Sequence, residues 1–214
     1  MIYDENIANE IAEYLLDIKA VVLRPRQPFT WASGWLSPIY CDNRMILSYP
    51  KVRKEVIRVF CKIIRHYYND AECIAGVATA GIAHAALIAE ELNLPMAYVR
   101  TSPKGHGLEK LIEGKIDAGQ KVLVIEDLIS TGKSSIQAAN TILEAGANVI
   151  GLGAVFSYEF EDARQAFTNS DISFFTLSGY TALINLAIDK QYIAEIDLEM
   201  LTQWRKSPQT WKPE

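Results

Sequence analysis

The chain has 214 residues, half of them hydrophobic, with a formal net charge of -5 and a sequence pI near 5.3. That length is enough to bury one sizeable core, so we expect a single domain spanning residues 1–214. A nucleic-acid surface needs clustered basic side chains, and the acidic balance and the lack of a Lys/Arg run argue against one.

The cysteine content and the first residues indicate a reducing compartment. Cys41, Cys61 and Cys73 show no CxxC spacing, which argues against both a disulfide framework and a zinc site. The opening segment MIYDENIANE is acidic and polar, and no run of eighteen apolar residues occurs in the sequence. We therefore expect a cytoplasmic protein with no membrane partner.

Two helical patterns separated by an irregular segment occupy the first third of the chain. Apolar residues recur at helical spacing over residues 7–18, and Asp4 is placed to cap that helix. Residues 24–44 contain three prolines and no helical period, which predicts irregular structure or short strands. A second helix is predicted from Val52, with Ser48 as a candidate cap.

From residue 73 onward, apolar runs rich in Val, Ile and Ala alternate with helical patterns. The runs lack strict in-and-out alternation, which is typical of parallel strands buried on both faces. We therefore predict an α/β fold with a doubly wound, mostly parallel sheet. Residues 100–120 form an exception, with four glycines and no convincing helix. Loops of roughly that length inside a compact domain are usually functional or disordered.

The stretch KVLVIEDLISTGKSS, residues 121–135, carries the main candidate site. A strand over residues 122–125 is followed at once by Glu126 and Asp127, at the carboxyl end where parallel sheets bind their ligands. The next residues lead into a helix and can present a row of backbone N–H groups, which suits a phosphate. The motif thus predicts acidic side chains beside a phosphate-binding turn.

Three interpretations of this motif compete. A nucleotide P-loop would share the Gly132-Lys133-Ser134 ending, but its first glycine would fall at Asp127, whose charge would repel a phosphate. The two acids could instead serve only as a helix cap. A phosphorylated sugar fits best, because carboxylates make strong charge-assisted hydrogen bonds to sugar hydroxyls.

The motif resembles the signature of the phosphoribosyltransferases, which bind phosphoribosyl pyrophosphate (PRPP). More narrowly, FTWASGWLSPIYCDNR at residues 29–44 resembles the amino-terminal motif of the orotate phosphoribosyltransferases. RTSPKGHG at residues 100–107 resembles the loop that closes over the substrate in that family. The three motifs occur in the expected order and cover nearly the whole chain.

This resemblance implies the type I phosphoribosyltransferase fold, with a small amino-terminal hood within residues 1–45 that contributes to the base site. It implies that Glu126 and Asp127 hold the ribose hydroxyls. It also implies a cradle for the 5′-phosphate formed by Leu128, Ile129, Ser130, Thr131, Gly132, Lys133 and Ser134. Residues 78–81 resemble the tight turn that receives pyrophosphate.

The resemblance further implies that Arg100, Lys104 and His106 close over the pyrophosphate and reach into the neighbouring subunit of a homodimer. Lys104 and Asp127 are the residues to which it gives a catalytic role. The implied cofactor is Mg²⁺, held mainly by PRPP and water, with no protein ligand assigned directly.

The chain departs from the family pattern at three positions. Ala32, Ala80 and Thr101 stand where many relatives have lysine. More of the negative charge of PRPP and of the departing pyrophosphate would then be neutralised by Mg²⁺ and by the remaining cations of the loop motif.

The implied activity is transfer of the phosphoribosyl group from PRPP to orotate, giving orotidine 5′-monophosphate (OMP) and pyrophosphate, in de novo pyrimidine (UMP) biosynthesis. A purine phosphoribosyltransferase of the same fold is the nearest alternative, and the SG and SP pairs of residues 33–34 and 37–38 favour orotate. A non-catalytic PRPP-sensing regulator would need a basic face that this acidic chain lacks.

Several residues outside these motifs have open or structural interpretations. Trp31 and Trp35 either stack near the base or lie in a dimer interface, and Asp42 and Arg44 are expected to pair with each other. His84 receives no functional role. Trp204 and Trp211, in the polar carboxyl-terminal region, receive no assignment.

Overall fold

A computed structural model describes residues 4–100 and 111–213 of the chain. Its elements in chain order are α1 (Glu5–Asp17), β1 (Val21–Leu23), β2 (Phe29–Thr30), β3 (Leu36–Ser37), β4 (Ile39–Cys41), a 3-10 helix (Asn43–Ser48), α2 (Pro50–Tyr67), β5 (Cys73–Val77), α3 (Gly81–Leu92), β6 (Met96–Val99), β7 (Ile112–Glu113), β8 (Lys121–Ile129), α4 (Lys133–Glu144), β9 (Asn148–Ser157), α5 (Glu161–Asn169), β10 (Phe174–Gly179), α6 (Tyr180–Asp189), a second 3-10 helix (Glu195–Asp197) and α7 (Leu198–Lys206).

Six strands form the central sheet in the order β10-β9-β8-β5-β6-β7. Every neighbouring pair is parallel except β6 and β7. Side chains of β8 alternate between two cores: Leu123 and Ile125 join the core that contains α1, α2, α3 and α6, whereas Val122 and Val124 join the core under α4 and α5. The sheet is therefore covered on both faces, which confirms the predicted doubly wound α/β fold.

The two predicted helices of the first third are present, but one predicted cap is wrong. Asp4 caps α1 as expected, because its Oδ1 accepts a hydrogen bond of 3.0 Å from the Ile7 N–H. Ser48 does not cap α2. It is the last residue of the preceding 3-10 helix, and the N-cap residue of α2 is Tyr49, which makes no side-chain hydrogen bond to the helix. Pro50 follows in the first turn, where its missing N–H costs nothing.

The hood, defined here as residues 21–48, consists of short pieces. β1 pairs with β4, and β2 pairs with β3, both antiparallel, and neither pair hydrogen-bonds to the central sheet. α1 lies outside the hood, since it packs on the main core and its Ala8 carbonyl accepts a bond from the Ser178 hydroxyl of β10. Within the described residues, none of the helices has the length and apolar character needed to cross a bilayer.

Candidate active site

β8 is longer than the sequence indicates, and its extension builds the site. The strand runs to Ile129 and pairs with β9 as far as Ser157. On its other side, β8 pairs with β5 only as far as Ile125 opposite Gly76. The acidic pair therefore lies within the strand rather than after it, beyond the end of β5 and at the carboxyl edge of the sheet.

The start of α3 packs tightly against this part of β8. A Cβ added to Gly81 would lie 2.6 Å from the Ile125 carbonyl oxygen and 3.3 Å from the Cα of Glu126. Only glycine permits that approach. Residues 78–80, the turn compared with a pyrophosphate turn, therefore lie directly beside the acidic pair, with half-buried Ala80 at the position of one missing lysine.

Glu126 is committed to protein contacts. Its side chain is 5% exposed and accepts hydrogen bonds from the Ser135 hydroxyl at 3.1 Å, the Ser134 hydroxyl at 3.5 Å and the Asp127 N–H at 3.0 Å. Burial raises the pKa of the Glu126 carboxyl well above its ordinary value, and the neighbouring charge of Asp127 raises it further. Glu126 thus braces the first turn of α4 from below.

Asp127 is half-buried, and its contacts lead toward the hood. Its carbonyl oxygen accepts a hydrogen bond of 2.7 Å from the Nδ2 of Asn43, which is fully buried. The Asn43 Oδ1 in turn faces the Cys41 thiol at 3.4 Å. Burial raises the pKa of that thiol well above its ordinary value, with a smaller effect from the Asp127 charge.

Sequence reasoning missed Asn43, although it lies within the motif Cys41-Asp42-Asn43-Arg44. The charged residues beside it pair with each other as expected, with the Arg44 Nε 2.6 Å from an Asp42 carboxylate oxygen. This bond lowers the pKa of Asp42. Asn43, which is uncharged, is the residue of this motif that hydrogen-bonds to β8.

The turn after β8 presents unused backbone donors. Among the described residues, the N–H groups of residues 131–135 have no hydrogen-bond acceptor. Gly132 has a left-handed φ of 77°, and a Cβ there would lie 2.9 Å from the Cε2 of Phe167. These donors lie at the positive end of the 12-residue helix α4. Free N–H groups at the start of a helix can bind a phosphate.

Arg100 is the one cation of the loop motif within the described residues. It follows β6 at the same edge of the sheet, with its Nη1 3.6 Å from the Glu113 carboxylate and its N–H bonded to the Leu111 carbonyl at 2.8 Å. Lys104 and His106, together with Thr101, lie outside the described residues.

The Ser33-Gly34 and Ser37-Pro38 dipeptides of the hood lie in different surroundings. Ser33 and Gly34 form the exposed tip of the β2–β3 hairpin, where Gly34 has a φ of 85°. Ser37 is buried, and its hydroxyl donates to the Ile39 carbonyl at 2.7 Å and accepts from the Ile39 N–H at 3.2 Å. The serine of the SP pair therefore shapes the turn around Pro38.

His84 lies in α3 one turn after Gly81 and is fully buried. Neither ring nitrogen has a hydrogen-bond partner among the described residues. Burial lowers the pKa of His84, and the charge of Asp127 offsets part of that effect. Burial thus disfavours the charged form of this imidazole.

The donor set suits a metal ion that arrives with its ligand. The described part of the chain contains no cluster of three or more His, Cys, Asp or Glu side chains that could hold a metal. Glu126 is engaged by the α4 serines, which leaves the carboxylate of Asp127. Mg²⁺ bound through one carboxylate together with substrate phosphates and water is a common arrangement, and these residues fit it.

A groove of about 1060 Å³ lies elsewhere, between α5, β10 and the end of α2. It is lined by aromatic side chains such as Tyr68, Phe167 and Phe175, and it includes neither the acidic pair nor the N–H row. Because it offers no comparable set of phosphate donors, we assign the chemistry to the open sheet edge.

Comparison with known proteins identifies the family of this chain. Residues 42–176 match the family model described as a phosphoribosyl transferase domain. An orotate phosphoribosyltransferase of Cytophaga hutchinsonii is 50% identical over 207 residues, covering 97% of this chain and 99% of that protein. One of Porphyromonas gingivalis is 49% identical over 201 residues, covering 94% of this chain and 96% of that protein.

A solved structure gives the same result for the fold. The crystal structure of orotate phosphoribosyltransferase from Aeropyrum pernix matches with a TM-score of 0.74 at 23% identity, covering 86% of this chain and 99% of that one. At that level of identity the likeness concerns the architecture alone.

Proposed function

This chain belongs to the orotate phosphoribosyltransferase family, and we propose that it transfers the phosphoribosyl group from PRPP to orotate, giving OMP and pyrophosphate in pyrimidine biosynthesis. The observation that carries the proposal is the acidic pair at the carboxyl end of β8, followed by free N–H groups in the next turn and in the first turn of α4. The protein acts as a cytoplasmic homodimer.

In this reaction the 5′-phosphate of PRPP accepts hydrogen bonds from the N–H groups of residues 131–135. The helix end favours a dianion, and the exposed Lys133 adds positive charge at the rim. Asp127 accepts from the ribose hydroxyls. Glu126 accepts hydrogen bonds from Ser134 and Ser135 and so stabilises the turn. Asp127 therefore makes the larger share of the contacts to the ribose.

Breaking the bond to pyrophosphate builds positive charge on the sugar ring and negative charge on the leaving group. The ring nitrogen of orotate is the nucleophile, so the enzyme needs no nucleophilic side chain of its own. Catalysis then rests on positioning and electrostatics, with each well-placed group supplying on the order of 10²–10³ in rate. Asp127 stabilises the positive side of this charge separation.

Mg²⁺ accompanies PRPP, and Asp127 is the residue that would meet it. When bound, the ion neutralises part of the charge that develops on pyrophosphate. The chain supplies the rest through Arg100, Lys104 and His106. Arg100 forms an ion pair with Glu113 in this structure. To bind the pyrophosphate, its guanidinium must leave that ion pair.

The proposed loop residues are tested with Lys104→Ala, which should lower the turnover number by roughly 10²-fold while the thermal melt is unchanged. If each loop serves the partner's site, mixing this variant with an Asp127→Asn variant should restore activity through hybrid dimers. Absence of recovery after proven subunit exchange would refute the shared site.

The function itself is tested by following orotate absorbance with and without PRPP and Mg²⁺. We expect consumption of orotate only with both present, together with stoichiometric release of pyrophosphate. Adenine, hypoxanthine and xanthine are assayed as alternative substrates under the same conditions. A higher kcat/KM for any of these purines would overturn the assignment to orotate.

A further inference from the structure

Trp204 is fully buried, although it belongs to the polar carboxyl-terminal helix α7. Its indole Nε1 donates a hydrogen bond of 3.1 Å to the carbonyl oxygen of Leu36, a residue 168 positions earlier in the hood. A buried indole N–H requires a partner, and here the partner is the backbone of β3. The last helix is therefore bonded directly to the hood.

The ring of Trp204 packs within an aromatic cluster that continues into the hood. Trp31 meets it edge to face at 5.8 Å between ring centroids. Tyr158, Phe160 and Tyr180 lie 5.4–5.8 Å away. Trp31 also donates from its own Nε1 to the Ile39 carbonyl at 3.2 Å. Two indole N–H groups thus hold the hood backbone on both sides of the Ser37-Pro38 turn.

The hood needs this support because its own strands are too short to be stable alone. β2 and β3 have two residues each, and an isolated two-stranded hairpin is at best marginally stable in water. From the supported turn the chain runs through β4 to Asn43, whose Nδ2 is bonded to the Asp127 carbonyl. The hood is therefore attached to the rest of the fold at two points: Trp204 is bonded to Leu36, and Asn43 is bonded to Asp127.

Arg205 fixes α7 to the sheet next to this contact. Its Nη1 donates to the Glu159 carboxylate at 3.1 Å and to the Thr181 hydroxyl at 2.6 Å. Glu159 comes directly after Tyr158, which packs on Trp31 at 5.1 Å. The helix that holds the hood is thus tied to the carboxyl edge of β9, on the same side of the sheet as the acidic pair.

We propose that Trp204 is a positioning residue for recognition of the base, acting through the hood. The inference rests on the proposed function, in which the hood contributes to the orotate site. The N–H row lies at the start of α4, and Gly132, which caps that helix, packs on Phe167. Phe167 belongs to the core under α4 and α5, whereas Trp204 belongs to the core on the other face of the sheet. Loosening the hood should therefore weaken orotate binding and leave PRPP binding unchanged.

The test is Trp204→Phe, which keeps an aromatic ring and removes the N–H bonded to Leu36. We expect the KM for orotate to rise about 5- to 10-fold, the size of one lost neutral hydrogen bond with some loss of packing, and the KM for PRPP to stay within about twofold. Trp211→Phe is the matched control. It makes the same change seven residues later. Among the described residues, the indoles that donate to the hood backbone are those of Trp31 and Trp204, so Trp211→Phe should leave both KM values unchanged.

A second variant covers the case in which Trp204→Phe does not fold. Arg205→Gln removes the ties to Glu159 and Thr181 and should raise the KM for orotate in the same direction by about two- to fourfold, again without a matching change for PRPP. An equal rise in both KM values would indicate a merely structural role and overturn the inference.

The remaining outcomes separate the two proposals. If the wild-type chain is active and neither variant alters the KM for orotate, the inference fails and the proposed function stands. A wild-type chain that forms no OMP from PRPP and orotate overturns the proposed function, and the inference falls with it.

Discussion

The two halves of the candidate site are built in different ways. The sheet half consists of β8, which is nine residues long and lies between β9 and β5, and of the turn into α4. Its free donors are the backbone N–H groups of residues 131–135, which directly follow the paired strand. The hood half has strands of two or three residues, fixed by side-chain bonds such as Asn43 to Asp127 and Trp204 to Leu36.

This difference matches the two kinds of group that the proposed substrates carry. The phosphate and ribose of PRPP would meet the half whose geometry follows from backbone pairing. The base, which distinguishes one phosphoribosyltransferase from another, would meet the half that depends on individual side chains. Changes in the hood can therefore alter base binding without disturbing the phosphate site.

The largest effect is expected at the centre of the sheet half. Asp127→Asn removes the carboxylate that accepts from the ribose in the proposed reaction, and it should lower the turnover number by about 10²–10³-fold with little change in the melting temperature. Asp42→Asn is the control, because its carboxylate is bonded to Arg44 and not to the site. Turnover of Asp127→Asn within tenfold of wild type would contradict the role of Asp127.

The geometry of the phosphate turn is tested by Gly132→Ala. A left-handed φ disfavours alanine, and its Cβ would lie 2.9 Å from Phe167, so we expect about 1–3 kcal/mol of lost stability and a PRPP affinity at least tenfold lower. Gly119→Ala is matched, since Gly119 has a φ of 78° with no heavy atom within 4 Å. Equal effects in urea unfolding and in PRPP titration would remove the special role of Gly132.

The junction between the halves is tested by Asn43→Ala. It leaves the Asp127 carbonyl without its donor, so we expect a loss of about 1–3 kcal/mol in the free energy of unfolding and a higher KM for orotate. Asn43→Asp should be worse than alanine, because it sets a carboxylate against that carbonyl oxygen. Urea unfolding of both variants checks this order, and the reverse order would contradict it.

Glu126 gives the sheet half a pH dependence. Its pKa is raised in the folded chain, so the folded state holds its proton more tightly, and this contribution to stability is full below about pH 4.5 and is lost as pH rises toward the raised pKa. Glu126→Gln cannot ionise. Urea unfolding at several pH values should therefore show the variant gaining stability relative to wild type as pH rises, and parallel curves would contradict the shift.

His84 should produce the opposite slope and the smallest effect. Its pKa is lowered in the folded chain, so its contribution is present above about pH 6.5 and is lost as pH falls through that value. His84→Leu removes both the titration and two unpartnered ring nitrogens. At pH 8 its stability should lie within about 1 kcal/mol of wild type, and it should exceed wild type as pH falls to 5. A fall of the variant below wild type over that range would refute this explanation.

Periodicity and turn chemistry were enough to predict most of the fold. The capped helix after Asp4 and the parallel sheet both follow from local patterns. The length of β8 did not, because acidic residues are rare in buried strands and Glu126 appeared to end one. Pairing with β9 decides the matter, and that pairing is a contact between distant parts of the chain.

The site divides along the same line. Its acids and its glycine turn are contiguous in sequence and could be found together. Asn43 is bonded to Asp127, 84 positions away, and Trp204 is bonded to Leu36, 168 positions away. No local sequence pattern predicts a bond between residues so far apart. The separate duties of Glu126 and Asp127 also could not be read from the sequence, since they depend on where Ser135 lies.

The bond between Trp204 and Leu36 has a consequence for synthesis of the protein. The hood emerges from the ribosome before its partner in α7, which follows 168 residues later. At about 5–20 residues per second, that delay is roughly 8–34 s. During this interval Trp31 and Leu36 lack the indole that covers them, so the nascent hood is exposed to chaperones and to aggregation until α7 has been synthesised.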